Sequence, residues 1–276
     1  MRTTRRDFLK LGGACGLVFL VFPAVKGLAA GERQEGVEGL VRKLAMTGQE
    51  GSSSAPSRAG TRKSKWGLLV DMEKCWSREG CLECILACRR EHNIPDIPTP
   101  KEEIKWIWKE PFANVFPEQE HEYWPEALPE KPVVILCNHC DNPACVRVCP
   151  TKATYKRADG IVMMDYHRCI GCRYCMAACP YGARSFNFRD PRPFIKETNP
   201  SFPTREKGVV EKCNLCVERI DAGLKPACVE ACPAGALIFG NLEDPNSKIR
   251  EKLRSFLTIQ RKSELGTRPK VYYALP

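Results

Sequence analysis

The run Cys169-Ile170-Gly171-Cys172-Arg173-Tyr174-Cys175-Met176-Ala177-Ala178-Cys179-Pro180 reads C-x2-C-x2-C-x3-C-P. Three cysteines this close can bring three thiolates to three irons of one [4Fe–4S] cubane, while the fourth serves a neighbouring cubane. That fourth cysteine, Cys179, is expected to start a helix. Such a run calls for partner cysteines elsewhere, and three more runs supply them. They are Cys75, Cys81, Cys84 and Cys88 (C-x5-C-x2-C-x3-C); Cys137, Cys140, Cys145 and Cys149-Pro150 (C-x2-C-x4-C-x3-C-P); and Cys213, Cys216, Cys228 and Cys232-Pro233 (C-x2-C-x11-C-x3-C-P). The four runs use sixteen of the seventeen cysteines, which is four ligands for each of four cubanes. The chemistry on offer is electron transfer.

Other uses of cysteine fit these spacings less well. Disulfide frameworks in exported proteins do not need repeated C-x2-C pairs ending in C-P. Zinc ribbons use paired C-x2-C but not a four-cysteine run, so a zinc-binding structural module is the alternative of another class. No C-x-x-C-H occurs, which argues against covalently attached haem. His139 lies between Cys137 and Cys140, but its run keeps all four cysteines, so it is expected to offer a hydrogen bond near the cluster or simply to be exposed. His92, His121 and His167 share no ligand spacing, and Met176 is expected to pack on a cubane or the core. No glycine-rich phosphate loop and no Ser/His/Asp or carboxylate constellation stands out. No catalytic residue is therefore expected, and the chain reads as an electron carrier without a substrate site of its own.

The net charge of +10 is modest for 276 residues and does not point to nucleic acid. The first thirty residues contribute +4 and leave +6 for the rest. Basic side chains beside a cluster offset its negative charge and favour the reduced form. Lys74, Arg147, Arg168, Arg173 and Lys212 are close enough in sequence to do this, or are simply solvated.

The elements that must position these ligands can be read in order. Residues 1–30 form a targeting segment: Thr4-Arg5-Arg6-Asp7-Phe8-Leu9-Lys10 is a twin-arginine core, followed by fifteen uncharged residues from Leu11 to Val25. That apolar run is short for a membrane span. Cleavage near Ala30, or retention of the segment as an anchor, are the two outcomes. Cys15 is read as a small apolar residue of the signal. Twin-arginine export carries folded chains, so cofactor assembly can precede it. Residues 31–65 read as a flexible linker with room for one short amphipathic helix over Val37–Leu44.

Beyond the linker, strands are expected at Trp66–Asp71, Pro132–Leu136, Ile161–Asp165 and Ala236–Gly240, with a turn at Asp159-Gly160 and a helical turn closed by Gly223. Residues 99–131 are an insertion rich in Trp, Pro and Glu. Its Trp106, Trp108, Phe112, Phe116, Tyr123 and Trp124 either wrap the core or form a docking surface for a partner. A second loop insertion covers 186–206, and 241–276 forms a C-terminal tail with helical character over Pro245–Phe256. Cluster loop, short helix, hairpin and cluster loop over 132–185 match a bacterial two-cluster ferredoxin. The fold class is therefore α+β: two pseudo-symmetric bacterial-ferredoxin-like lobes with long loop insertions and four [4Fe–4S] clusters. The inner lobe is 132–185, and the outer lobe joins 66–98 to 207–240.

Residues 66–276 resemble the iron–sulfur subunits that accompany molybdopterin oxidoreductases and related quinone-linked membrane complexes. The resemblance rests on the four cysteine groups, on Cys232-Pro233-Ala234-Gly235-Ala236-Leu237-Ile238-Phe239-Gly240, and on Leu265-Gly266-Thr267-Arg268-Pro269-Lys270-Val271-Tyr272-Tyr273. It implies that Cys75, Cys81, Cys84 and Cys232 hold one cluster, and Cys88, Cys213, Cys216 and Cys228 a second. It gives Cys137, Cys140, Cys145 and Cys179 the third, and Cys149, Cys169, Cys172 and Cys175 the fourth. The spacing rule for the fourth cysteine agrees for the two inner sets. Trp66–Cys75, the wide first gap and Lys105-Trp106-Ile107-Trp108-Lys109-Glu110-Pro111-Phe112 are most similar to the periplasmic iron–sulfur subunits of Dsr/Hme-type complexes. That branch implies an NrfD-type integral membrane subunit and a c-type multihaem cytochrome as partners, with membrane contact through the partner. A molybdopterin catalytic subunit is the alternative partner.

Overall fold

The computed structural model describes residues 64–276; the targeting segment 1–30 with Cys15, and linker residues 31–63 with the helix expected there, lie outside them. Strand β1 (Trp66–Asp71) is buried at every residue after Trp66, as a strand covered on both faces must be. Its last residue, Asp71, turns the chain into helix α1 (Met72–Trp76). The Asp71 carboxylate accepts the Lys74 N–H at 3.1 Å and pairs with the Lys74 ammonium at 2.6 Å. Helix α2 (Glu83–Glu91) follows. Strand β2 (Ile107–Pro111) runs into α3 (Phe112–Val115) and pairs antiparallel with β3 (Pro132–Leu136).

After α4 (Ala144–Arg147), strands β4 (Thr154–Lys156) and β5 (Val162–Met164) form an antiparallel hairpin whose turn lies at Asp159-Gly160. Next come α5 (Tyr174–Ala177) and the short pair β6 (Ser185–Phe186) and β7 (Val210–Glu211). Helices α6 (Val217–Asp221) and α7 (Ala227–Glu230) precede β8 (Leu237–Asn241), α8 (Lys248–Ser255), β9 (Thr258–Ile259) and β10 (Val271–Ala274). The architecture is thus mixed α/β, built from short helices and small sheets.

The largest sheet runs β8-β1-β10-β9. Strand β1 is antiparallel to β8 and parallel to β10, with Leu68 opposite Val271 and Asp71 opposite Ala274. The sequence pattern made residues 241–276 a tail. Instead they supply two of the four strands, and β10 lies inside the sheet with Tyr273 fully buried. A four-residue strand carries too little alternation to announce itself, and its parallel partner lies at the far end of the domain. The helical character expected in this segment does appear, as α8.

The insertion 99–131 is built into the core rather than laid over it. Trp106, Phe112 and Phe116 are buried with Leu68, Val70 and Val133 to Leu136 in one apolar cluster. Tyr123 alone among its large aromatics stands out in solvent, at 82% exposure. The second insertion sends Arg205 into the same interior, where its guanidinium pairs with Glu211 at 2.8 Å, both side chains being essentially inaccessible. Glu211 also accepts hydrogen bonds from Trp106 Nε1 at 3.0 Å and Asn187 Nδ2 at 2.6 Å. Arg205 donates to the carbonyls of His92, Asn93 and Pro203 and lies over the Trp106 and Phe202 rings. Both insertions are thereby tied to β7, just ahead of the last cysteine run.

Candidate cluster-binding site

Spacing x3 places two sulfurs one helical turn apart, and the structure uses it this way in every run. Cys84 and Cys88 both lie in α2. Cys145, Cys175 and Cys228 lie in α4, α5 and α7, and Cys149, Cys179 and Cys232 follow just beyond each helix. Cys179 was expected to start a helix, but it comes after one. The proline that follows Cys149, Cys179 and Cys232 has no N–H to continue a helix, so the helix ends at Val148, Ala178 or Ala231.

The C-x2-C loops share a second device. The residue just before the second cysteine is left-handed in three of them: His139 at φ 42°, Gly171 at 69° and Leu215 at 61°. Backbone N–H groups also face sulfur, in one of these turns and beyond them. Leu215 N–H points to Cys213 Sγ at 3.3 Å, Ala227 N–H to Cys216 Sγ at 3.3 Å, Ala236 N–H to Cys232 Sγ at 3.3 Å and Thr154 N–H to Cys149 Sγ at 3.5 Å.

Gly171 needs its glycine twice, since its φ is left-handed and an added Cβ would run into the Gly208 carbonyl oxygen. Gly171→Ala is expected to cost about 1–2 kcal/mol from the backbone alone. Chelator treatment should then strip about a quarter of the iron faster than the rest, read as iron per chain against time; uniform loss would count against this.

All sixteen described cysteines are free. Two cavities each gather four of them, and the other eight fall into two further groups by the charges they exert on one another. One cavity is lined by Cys75, Cys81, Cys84 and Cys232, with Lys109 and Arg78 at its edge. After burial, Cys88 is raised most by the charges of Cys213, Cys216 and Cys228, all four being buried. Cys140 faces Cys137, Cys145 and Cys179. A second cavity is lined by Cys149, Cys169, Cys172 and Cys175. Charge also reaches from one quartet to the next: Cys84 acts on Cys88 and Cys228, Cys137 on Cys213, and Cys145 on Cys175.

As bare thiols several of these groups are poor acids. Burial first, and mutual repulsion second, push Cys84 and Cys140 up to about 12. Burial with the nearby Cys137 does the same to Cys213, and burial also raises Cys88 and Cys228 well above the usual thiol value. Cys149 is the exception: burial raises it, but donors from Thr154, Thr151 and Ala153 bring it below the usual thiol value. Thiols crowded this way become thiolates only against strong positive charge, which is what iron supplies. Among the described residues no three His, Cys, Asp or Glu side chains draw close enough to hold one metal ion. Quartets spread around a cavity fit a multi-atom cluster better than a tetrahedral zinc, whose sulfurs stand about 2.3 Å from the metal.

Of the five basic residues singled out by position, three are engaged elsewhere: Lys74 with Asp71, Arg147 with Asn142 at 2.7 Å, and Arg168 with Asp165 at 3.3 Å. Arg173 lines the fourth quartet's cavity and lies over Phe186, 5.1 Å from the ring centroid. Lys212 is buried beside Cys213 and donates to its carbonyl at 2.7 Å. Two cations are not evident from sequence. Lys109, on β2, donates to the Cys81 carbonyl and partly offsets the rise that burial gives the thiols Cys75 and Cys84. Arg184 is buried beside the two inner quartets. The alternation Lys105-Trp106-Ile107-Trp108-Lys109 was the available signal for the first; nothing local marked the second.

His139 is buried, not exposed, and its Nδ1 accepts the Val162 N–H at 3.1 Å. Burial, with Lys212, Lys270 and Arg184 nearby, holds it neutral. His92 is also buried, with Nδ1 3.8 Å from Cys88 Sγ. Among the described residues no helix is long and apolar enough to cross a membrane.

A family model described as a 4Fe-4S dicluster domain matches residues 132–191 and 199–242. Over 236 residues the chain is 45% identical to the Hdr-like menaquinol oxidoreductase iron-sulfur subunit 1 of Archaeoglobus fulgidus, covering 77% of this chain and 84% of that one. It is 38% identical over 238 residues to the menaquinone reductase iron-sulfur cluster-binding subunit of Nitratidesulfovibrio vulgaris, covering 76% and 89%. It is 37% identical over 214 residues to the B subunit of the polysulfide reductase of Wolinella succinogenes, covering 75% and 93%. With identity at this level across most of each protein, the protein belongs to this family of [4Fe–4S] iron–sulfur subunits, electron-transfer components of oxidoreductase complexes.

Proposed function

We propose that the protein passes electrons through four [4Fe–4S] clusters, on the periplasmic side, between a quinone-interacting NrfD-type membrane subunit and a c-type multihaem cytochrome or other redox partner. The setting is a Dsr/Hme-type complex of dissimilatory sulfur metabolism. The ligand sets are Cys75/Cys81/Cys84/Cys232, Cys88/Cys213/Cys216/Cys228, Cys137/Cys140/Cys145/Cys179 and Cys149/Cys169/Cys172/Cys175. They divide between an outer and an inner ferredoxin-like lobe. Four quartets of free thiols in one file carry this assignment. The relatives named for menaquinol and menaquinone support the quinone side. The twin-arginine core at Thr4–Lys10 supports export as a folded chain.

When bound, each cluster takes up and releases an electron. The chain does the rest. Its loops fix each quartet against the next, so the separation between sites is set by packing. N–H groups aimed at sulfur and buried cations favour the more negative, reduced form. The apolar cluster around Trp106 and Phe116 keeps water from the outer quartets.

The test is the complex purified from membranes in mild detergent. About sixteen irons per chain with matching acid-labile sulfide are expected, with covalently bound haem in a co-purifying subunit. Zinc without sulfide would overturn the cluster assignment. Molybdenum in place of haem would favour a second setting, a molybdopterin oxidoreductase, for which the likeness to the polysulfide reductase subunit speaks.

A further inference from the structure

Among the described residues three arginines are buried, Arg184, Arg205 and Arg261, and the first two are answered differently. Arg205 is paired with Glu211 at 2.8 Å. Arg184, 5% exposed, has no carboxylate partner among the described residues. Its Nη1 donates to Thr154 Oγ1 at 3.2 Å and reaches Met164 Sδ at 3.8 Å. Its Nη2 is buried with no hydrogen-bond partner. A guanidinium in that position is costly unless something negative answers it. Burial works against its charge; the groups that offset burial are Cys145, Cys175 and Cys137, in that order. Two of these belong to the third proposed set and one to the fourth.

Lys212 shows the contrast. It is as deeply buried, but its ammonium is satisfied by the carbonyls of Val162 and Cys213. Arg184 alone of the pair keeps an unspent donor next to sulfur.

We propose that Arg184 is the counter-charge of the two inner clusters and holds their reduction potentials up. The inference rests on the ligand sets proposed above. Reduction adds one electron, and so one negative charge, to a cluster–thiolate unit that is already negative, with no bond made or broken. A fixed cation in a low-dielectric interior stabilises the reduced form more than the oxidised form. Placed between two clusters, one guanidinium acts on both.

The experiment is a dithionite titration of the holoprotein followed by EPR, on wild type and on three variants. Arg184→Gln keeps an amide for Thr154 and drops the charge; Arg184→Met drops both; Arg184→Lys keeps the charge. Two of the four midpoints should fall in the Gln and Met variants by at least a tenfold change in the reduction equilibrium, about 59 mV for one electron. The other two should stay put, and the Lys variant should stay close to wild type. Unmoved midpoints, four midpoints shifted alike, or a Lys variant shifted as far as the Met variant would each overturn the proposal. If the neutral variants lose iron, loss confined to half the clusters supports it, and loss of all four counts against it. Iron and sulfide in the wild type are measured alongside. A wild type without about sixteen of each would fail the ligand assignment itself, independently of Arg184.

Discussion

Cys228→Ser is expected to remove about a quarter of the iron and to abolish electron passage from one end of the protein to the other. Cys228 is buried in α7 and, in the assignment proposed above, belongs to the second set, between the first and the third. A serine hydroxyl does not ionise to replace the thiolate, and a buried site admits no outside ligand in its place. With the second site empty, an electron would have to cross from the first quartet to the third in one step. The sharp comparison is Cys172→Ser. Cys172 is the exposed member of the terminal fourth quartet, so its loss should remove a similar share of iron but leave the path through the first three intact. Stopped-flow oxidation of the reduced variants by an external acceptor, with iron per chain measured in parallel, separates the two. Equal transfer in both would mean the quartets do not act in series.

The second large effect is structural. Glu211→Gln should destabilise the protein by about 3–5 kcal/mol, because it strands the buried Arg205 guanidinium without its countercharge. Arg205→Met should cost a similar amount by stranding the carboxylate. The double variant should cost less than the sum, since neither charge is then left alone. In a protein of this size, thermal loss of the visible cluster absorbance should shift down by on the order of ten degrees for each single variant. If the double variant is as unstable as the two singles added together, the pair is not the knot that ties the insertions to β7.

The cysteine spacing carried most of the site. Ligand spacing is local, and each run folds into a loop and a helical turn fixed by a few residues: Gly171 where φ is positive, Pro150, Pro180 and Pro233 where the helix must stop. The apolar runs at 66–71, 132–136 and 161–164 read directly as strands for the same reason. What escaped depends on partners far apart in sequence. Val271-Tyr272-Tyr273-Ala274 is a strand only because β1 lies beside it. Arg184 and Lys109 face sulfur only because distant loops bring them there. Trp106 left a docking face and a core both open; Glu211, 105 positions away, fixes it in the core.

The placement of β10 between β1 and β9 bears on how the protein is made. The inner cysteine runs, 137–149 and 169–179, are contiguous and close on themselves through a tight hairpin. The first run hangs from the end of β1, and β1 is held on one side by β8 and on the other by the last strand of the sequence. Contacts between such distant segments form late, after local ones. The inner half can therefore take shape while the ribosome is still adding residues, but the support beneath Cys75 is completed only when Val271 to Ala274 have emerged. A polypeptide stopped before Val271 would carry the cysteines of all four runs and still lack that support beneath Cys75.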